Sequence, residues 1–347
     1  MPVKKIAIFN HKGGVSKTTT AFNIGWKLAR NGKKILMVDA DSQCNLTLYC
    51  LGNKKFEQFY EEKNPNNIKD ALEPAFKSKP RLIEAVDCLS VPRNENLFLL
   101  PGHLDLSENE VQLGLSFQLT EAMGALENLP GSFSYLIEKT AQKFNIDYVI
   151  IDMNPSLSAI NQDLLISSDY FFVPTSPDVF SRMAIKSLSR VLPSWEKWAK
   201  RARQTFKEAE YPLPTNTPKF LGYTINDFNL SSGQPTIAFA NIMDKISDSI
   251  EKELIPNLRN EGMLLEDQFY LDASRLNDSL RSQRRQVDKY CIAEISNFNR
   301  LIAISNEKSI PIFELSHFGM EDGQQKTLNW FKKLFEVIAD KIIILTK

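Results

Sequence analysis

Near the start of the chain two lysines flank a pair of glycines, and threonines follow: Lys12-Gly13-Gly14-Val15-Ser16-Lys17-Thr18-Thr19-Thr20. Residues of these types in this order suit the holding of phosphates. Glycine has no Cβ, so the backbone can bend sharply and approach a ligand closely. Successive loop N–H groups can then point inward at anionic oxygens. The Lys17 ammonium supplies a point charge for β- and γ-phosphates. The Thr18 hydroxyl suits Mg²⁺, which keeps several waters and takes few protein ligands. Three acids stand where apolar runs end. Asp39 and Asp41 follow Ile35-Leu36-Met37-Val38, and Asp152 follows Tyr148-Val149-Ile150-Ile151. A carboxylate so placed can hold Mg²⁺ directly or through a water.

Such a loop needs a strand before it and a helix after it. Ile6-Ala7-Ile8-Phe9 reads as the strand, and the pattern from Ala21 to Arg30 reads as the helix, closed by Asn31-Gly32. Free N–H groups at that helix start add donors and a favourable dipole. A buried parallel strand reads as a continuous apolar run. Besides the runs named above, 96–100, 170–173, 220–225 and 310–315 have this character, with Pro311 fitting a strand start or an edge. Helical patterns fall at 136–144, 179–202 and 237–259. The alternation predicts an α/β fold: a doubly wound, mostly parallel sheet flanked by helices. We expect one domain over 1–347, with surface insertions at about 53–93 and 203–218. A C-terminal helix at 327–345 should pack on the core, because Glu336 and Asp340 dilute the basic face that an interfacial helix wants.

The loop departs from the strict P-loop pattern, whose two glycines would fall at His11 and Ser16. What stands there resembles the deviant Walker A box of the ParA/MinD family of dimeric ATPases, closest to the ParA-type partition ATPases. The family's Asp-x-Asp-Pro-Gln-Gly-Asn is kept as Asp39-Ala40-Asp41-Ser42-Gln43-Cys44-Asn45, with serine for the proline and cysteine for a glycine. Its Asp-x-Pro-Pro-Ser stands as Asp152-Met153-Asn154-Pro155-Ser156. The resemblance implies ATP and Mg²⁺ held by residues 12–19: Lys12, Gly13, Gly14, Val15, Ser16, Lys17, Thr18 and Thr19. It implies metal contacts at Thr18, Asp152 and Asp39, some through water. Lys12, Lys17 and Asp41 become the catalytic candidates, with Lys12 reaching across a nucleotide sandwich dimer and Asp41 directing the attacking water. Asn226, ending a strand, becomes the adenine reader or else a plain turn residue. The implied activity is slow ATP hydrolysis, stimulated by a ParB-like partner protein, in plasmid or chromosome partition.

At 347 residues, 43% hydrophobic and 24% charged, the chain suits a globular protein with a substantial core. Lys+Arg and Asp+Glu both number 42, so any affinity for DNA must come from a local patch. Candidate contacts are Lys200 and Arg203 at the end of one helix, and Arg281, Arg284 and Arg285 in a basic run. Residues three and four apart share a helix face, and such a face can meet DNA phosphates without sequence preference. A solvated, ion-paired face is the plainer alternative. The four cysteines form no C-x-x-C pair, which points to reduced thiols and a cytoplasmic protein and weighs against a metal-cluster carrier; the resemblance adds association with the nucleoid. No leader, membrane span or membrane partner is expected. A positioning switch acting on a membrane or a protein complex remains the second reading.

Overall fold

The computed structural model describes residues 2–118, 126–280, 287–318 and 322–347. Its strands are β1 (Lys4–Ile8), β2 (Ile35–Ala40), β3 (Leu89–Ser90), β4 (Leu97–Leu100), β5 (Tyr148–Met153), β6 (Tyr170–Thr175), β7 (Lys219–Phe228), β8 (Leu230–Ser231), β9 (Gln234–Pro235) and β10 (Cys291–Ser296). Its helices are α1 (Lys17–Arg30), α2 (Asn45–Leu51), α3 (Asn53–Glu61), α4 (Ile68–Ala71), α5 (Glu73–Phe76), α6 (Asn109–Gln118) and α7 (Ser132–Phe144). They continue as α8 (Ala159–Ile166), α9 (Val179–Thr205), α10 (Ile237–Ser249), α11 (Ile255–Asn260), α12 (Asp267–Arg275), α13 (Arg300–Lys308) and α14 (Asp322–Leu345).

Eight strands form one sheet in the order β10-β7-β6-β1-β5-β2-β4-β3, parallel except for the short β3. Parallel strands need covering on both faces, so their residues carry no polar alternation; β2 and β5 are buried at every position. Helices cover both faces, and the mostly parallel α/β sheet is the architecture the runs predicted. Register fixes the chemistry. Asp152 of β5 lies opposite Ile8 of β1 and Asp39 of β2, which sets the two acids side by side at the strands' C-terminal ends.

One strand was misplaced by the sequence. Residues 310–315 are not the last strand; Ile312–Phe318 is a 3₁₀ helix, and Pro311 supplies no N–H to a ladder. The edge strand is β10, which pairs with β7 and was not anticipated. Glu294 in its middle, 5% exposed, breaks the apolar run that would have announced it.

The 53–93 stretch forms α3, α4, α5 and β3, anchored by buried Phe59, Ile68 and Leu72. The 203–218 stretch is anchored by buried Tyr211 and Leu213. Helix α14 buries Phe331, Leu334, Phe335, Ile338 and Ile342. Its Lys341, 1% exposed, donates to Asn277 Oδ1 at 2.6 Å and to the Ile292 carbonyl at 2.5 Å. This is a core helix. Among the described residues no helix is long and apolar enough to cross a membrane.

Candidate functional site

The turn from β1 into α1 is held from behind and open in front. Asn10 Nδ2 donates to the Pro174 carbonyl at 2.8 Å, and Asn10 Oδ1 accepts the Lys12 N–H at 3.0 Å. Asn226 Nδ2 donates to the Val15 carbonyl at 3.0 Å, and Ser176 Oγ to the Gly14 carbonyl at 3.4 Å. A Cβ added at Gly13 or Gly14 would meet nothing within 4 Å, so the loop faces free space. Gly14 has φ 72°, and Ser16, caught between loop and helix, has φ 62° and ψ 34°. Glycine reaches that left-handed region without strain and serine does not. The strict pattern places a glycine there, and the backbone has kept a glycine's conformation.

Lys17 is 8% exposed, with Nζ 3.3 Å from the Lys12 carbonyl oxygen. Burial lowers its pKa, against the pull of Asp152 and Asp41. The Asp152 carboxyl is 1% exposed and makes no well-formed hydrogen bond, with the Thr18 hydroxyl beside it. Burial, then the charge of Asp39, push it up to about 8, while Thr18 and Lys17 pull it down. A buried, unpaired carboxylate is strongly disfavoured unless a cation answers it. The residues therefore fit Mg²⁺. Among the described residues no three His, Cys, Asp or Glu side chains converge as a ready-made cage. That suits Mg²⁺, which binds through one or two carboxylates, waters and phosphates.

Asp39 is largely committed elsewhere. Its Oδ2 accepts from Thr47 N at 2.7 Å and Thr47 Oγ1 at 2.6 Å, which anchors the start of α2. Burial raises it to about 6, those bonds opposing. Asp41 is 8% exposed and accepts the Gln43 N–H at 3.0 Å. Cys44, standing for the family's glycine, is again left-handed at φ 54°. Lys12 reaches Asp178 of its own chain, Nζ to Oδ2 2.7 Å. Asp178 also accepts the Ser181 N–H at 2.8 Å and so caps α9.

Asn226 is 2% exposed, its amide spent on Val15 and on Thr20 Oγ1 at 3.3 Å. It lines a cavity of about 270 Å³ with Ser16, Thr19, Asp227 and Phe298, a space that suits a base beside the loop. A wider cavity of about 580 Å³ shares Ser296 and Asn297 with it but no loop residue.

Of the basic candidates, Lys200 and Arg203 lie among the described residues, and both are paired. Arg203 is tied to buried Glu196 at 2.8 Å and to the carbonyls of Pro214 and Asn216 at 2.7 and 2.6 Å. Its guanidinium is a structural clamp rather than a free phosphate contact. Lys200 pairs with Glu261 at 3.1 Å on the surface. Arg281, Arg284 and Arg285 lie outside the described residues. Sequence reasoning missed Asp178, Glu110 and Asn161. Asp178 had a signal, an acid just before a helical pattern. Glu110 had none: its carboxylate accepts the N–H groups of Ala159 and, at 3.2 Å, Ile160 from a helix about fifty positions away.

A parallel sheet whose first strand feeds a glycine-bearing, lysine-bearing loop and then a helix, with a buried acid at the neighbouring strand's end, defines a P-loop nucleotide-binding protein. An AAA domain family model matches residues 3–206. An uncharacterized protein of Methanocaldococcus jannaschii is 35% identical over 75% of this chain and 83% of its own length. The chromosome partitioning protein ParA of Caulobacter vibrioides is 29% identical over 55% of this chain and 62% of its own, and the sporulation initiation inhibitor protein Soj of Bacillus subtilis is 31% identical over 54% and 63%. The chain thus spans less than two thirds of those two relatives. The fold resembles apo McdA of Cyanothece at TM-score 0.62, with 19% identity and 98% and 99% coverage. It also resembles pNOB8 ParA bound to nonspecific DNA at TM-score 0.57, with 18% identity and 98% and 97% coverage. The chain belongs to the ParA/MinD-type P-loop ATPase family.

Proposed function

We propose that the chain is a ParA-like ATPase that closes into a sandwich dimer on Mg-ATP, hydrolyses it slowly, and serves DNA or plasmid partition. The observation that carries this reading is a buried Asp152 carboxyl without a well-formed hydrogen bond, with Lys17, Thr18 and Asp41 near enough to act on it. In this reading residues 12–19 cradle the phosphates through backbone N–H groups, and Lys17 meets the β- and γ-phosphates. Asn226 steadies the loop beside the base. Thr18 and Asp152 hold Mg²⁺, with Asp39 behind them. The ion would neutralise charge developing on the phosphate oxygens. Asp41 accepts a hydrogen bond from the water that attacks the γ-phosphate and orients it.

Support for the dimer is the apolar collar around this face. Val179, Phe180 and Met183 follow Asp178 and are 63%, 71% and 63% exposed. Leu157 follows Asp152 and is 46% exposed, and Val111 on α6 is 70% exposed. Exposed apolar side chains on elements leading from the site suit an interaction surface, and a second copy facing the first would cover them. Lys12 would then leave Asp178 for the phosphates of the partner copy. DNA binding is supported by the family and by the fold neighbour bound to nonspecific DNA, with Arg281, Arg284 and Arg285 as contacts. Lys200 could serve only by giving up Glu261. The buried α14 gives no support to a membrane anchor. A ParB-like partner would stimulate hydrolysis.

The test is to size the protein with ATP, ADP and no nucleotide, with and without DNA, alongside two variants. Lys17→Ala should weaken ATP binding roughly 100-fold, the loss of a charge-assisted contact or two. Asp41→Ala should bind ATP, accumulate as dimer and hydrolyse roughly 100-fold more slowly. Wild-type hydrolysis by Asp41→Ala would remove its role with the water.

A further inference from the structure

The segment that leaves β5 after Asp152 runs Met153-Asn154-Pro155-Ser156-Leu157-Ser158 into α8. The family pattern places consecutive prolines at 154 and 155, and each ring fixes one φ. This chain keeps only Pro155. Asparagine at 154 frees a dihedral two residues beyond the acid that fits Mg²⁺, and a loosened loop is the expected result.

The structure shows the opposite. Asn161, 0% exposed in the first turn of α8, turns its amide back onto this segment. Its Nδ2 donates to the Asn154 carbonyl at 2.9 Å, to Asn154 Oδ1 at 2.9 Å and to the Ser156 carbonyl at 2.7 Å. Ser156 Oγ donates to the same Asn154 Oδ1. These three oxygens and, at 3.5 Å, Ser156 Oγ converge on one amide with two hydrogens, so its bonds are shared. Removing a buried donor from several acceptors costs more than the bonds themselves contributed.

The clamp is anchored to a fixed body. The N–H groups of Ala159 and Ile160 at the start of α8 are held by the Glu110 carboxylate of α6, and Ser158 Oγ accepts the Asn161 N–H at 3.2 Å. Leu157, on the outer side of the segment, is 46% exposed. The loop is therefore tied through Asn161 while Leu157 stays exposed.

We propose that Asn161 is a positioning residue for phosphoryl transfer: with Asn154 it forms a polar clamp that does the stiffening a proline ring at 154 would do. The proposal rests on the ATP-hydrolysis reading above. Asn161 itself touches no reacting atom; it sets where the backbone after Asp152 stands. A loop misplaced by about an ångström can cost a large factor in rate while leaving ground-state binding alone.

The experiment is steady-state Mg-ATP hydrolysis with ADP affinity measured alongside, for Asn161→Ala, Asn161→Asp, Asn154→Pro and the double variant Asn154→Pro/Asn161→Ala. Asn161→Ala should lower kcat roughly tenfold with KM and ADP affinity within about twofold. Asn161→Asp should fall further, since a carboxylate would face three acceptors. Asn154→Pro should match wild type, and the double variant should recover most of the lost rate. A merely structural role would not be rescued by a proline seven positions away. If Asn161→Ala does not fold, Asn154→Pro against the double variant decides, equal rates being expected and a roughly tenfold gap overturning the clamp. Wild-type kcat in Asn161→Ala, or no recovery in the double variant, overturns it too. A wild-type protein that turns over no ATP would instead sink the ATPase reading itself.

Discussion

Where β1, β5 and β6 begin, charged groups have answering partners. Lys5 donates to Ser134 Oγ at 3.0 Å and pairs with Glu138. Asp169 accepts from the Lys5 N–H at 2.8 Å and from Asn216 Nδ2 at 3.1 Å, and Asp147 accepts the Lys34 N–H at 2.8 Å. Glu196 and Arg203 close the same end. Asp163 is the exception, a fully buried carboxyl that burial pushes well above the usual range against the pull of Lys5. Where the same strands finish, Asp152 makes no well-formed hydrogen bond, Lys17 is buried beside it, and Ser16 and Cys44 sit in left-handed backbone. One end is largely paired, Asp163 apart, and holds the fold together. The other keeps a buried acid without a well-formed hydrogen bond and two non-glycine residues in left-handed backbone, and a cation would answer the acid. Strain and unpaired buried groups concentrate where binding is needed.

Breaking the satisfied end should have the largest effect on stability. Arg203→Ala strips a buried carboxylate, Glu196 at 0% exposure, of its cation. The loss should be about 3–5 kcal/mol in urea unfolding, with nucleotide affinity unchanged in the folded fraction. Lost nucleotide binding at full stability would reverse the assignment of the two ends.

At the unmet end the sign should invert. Asp152→Asn removes a buried acid whose charged form burial disfavours even with Lys17 beside it, so the nucleotide-free protein should gain about 1–3 kcal/mol at pH 8 and above while losing Mg²⁺-dependent ATP binding. The pH dependence follows from linkage. The folded carboxyl is pushed up to about 8, from an ordinary value near 4 in the unfolded chain. The folded state therefore keeps a proton that the unfolded chain releases. This contribution is fully present below about pH 4 and is lost as pH rises toward 8. Urea melts at pH 5 and 8 without nucleotide should show a smaller pH slope in the variant. An unchanged slope would mean that another group carries it.

The satisfied frame and the unmet site were unequally legible in the sequence. The positions of the glycine-bearing loop, Asp41 and Asp152 at strand ends could be read because each lies within a few residues of a long apolar run. β10 could not, because Glu294 interrupts it, whereas Ile310-Pro311-Ile312-Phe313 imitated a strand through composition alone. Arg203 looked like a free cation because its partner's burial depends on how α9 packs. The clamp at Asn161 and the cap at Glu110 join residues 7 and about 50 positions apart through tertiary contacts, and nothing local marks either. Asn154 was read as a loosening residue for the same reason, since its partner lies one helix turn into the next element.

The smallest predicted effect probes the strain most directly. Ser16 and Cys44 replace glycines of the family motifs, and both have kept a glycine's backbone. A non-glycine residue in that region costs roughly 1–2 kcal/mol, and glycine returns part of this by losing more entropy on folding, roughly 0.5–1 kcal/mol. Ser16 is half-buried and its side chain makes no capping hydrogen bond, so little packing opposes the exchange. Ser16→Gly should therefore gain about 0.5–1 kcal/mol in nucleotide-free stability. Cys44 is 0% exposed, and deleting its side chain would leave a small cavity. Cys44→Gly should accordingly gain nothing or lose slightly. The pair separates backbone relief from side-chain packing, and equal responses at the two positions would show that side-chain packing is not what sets them apart.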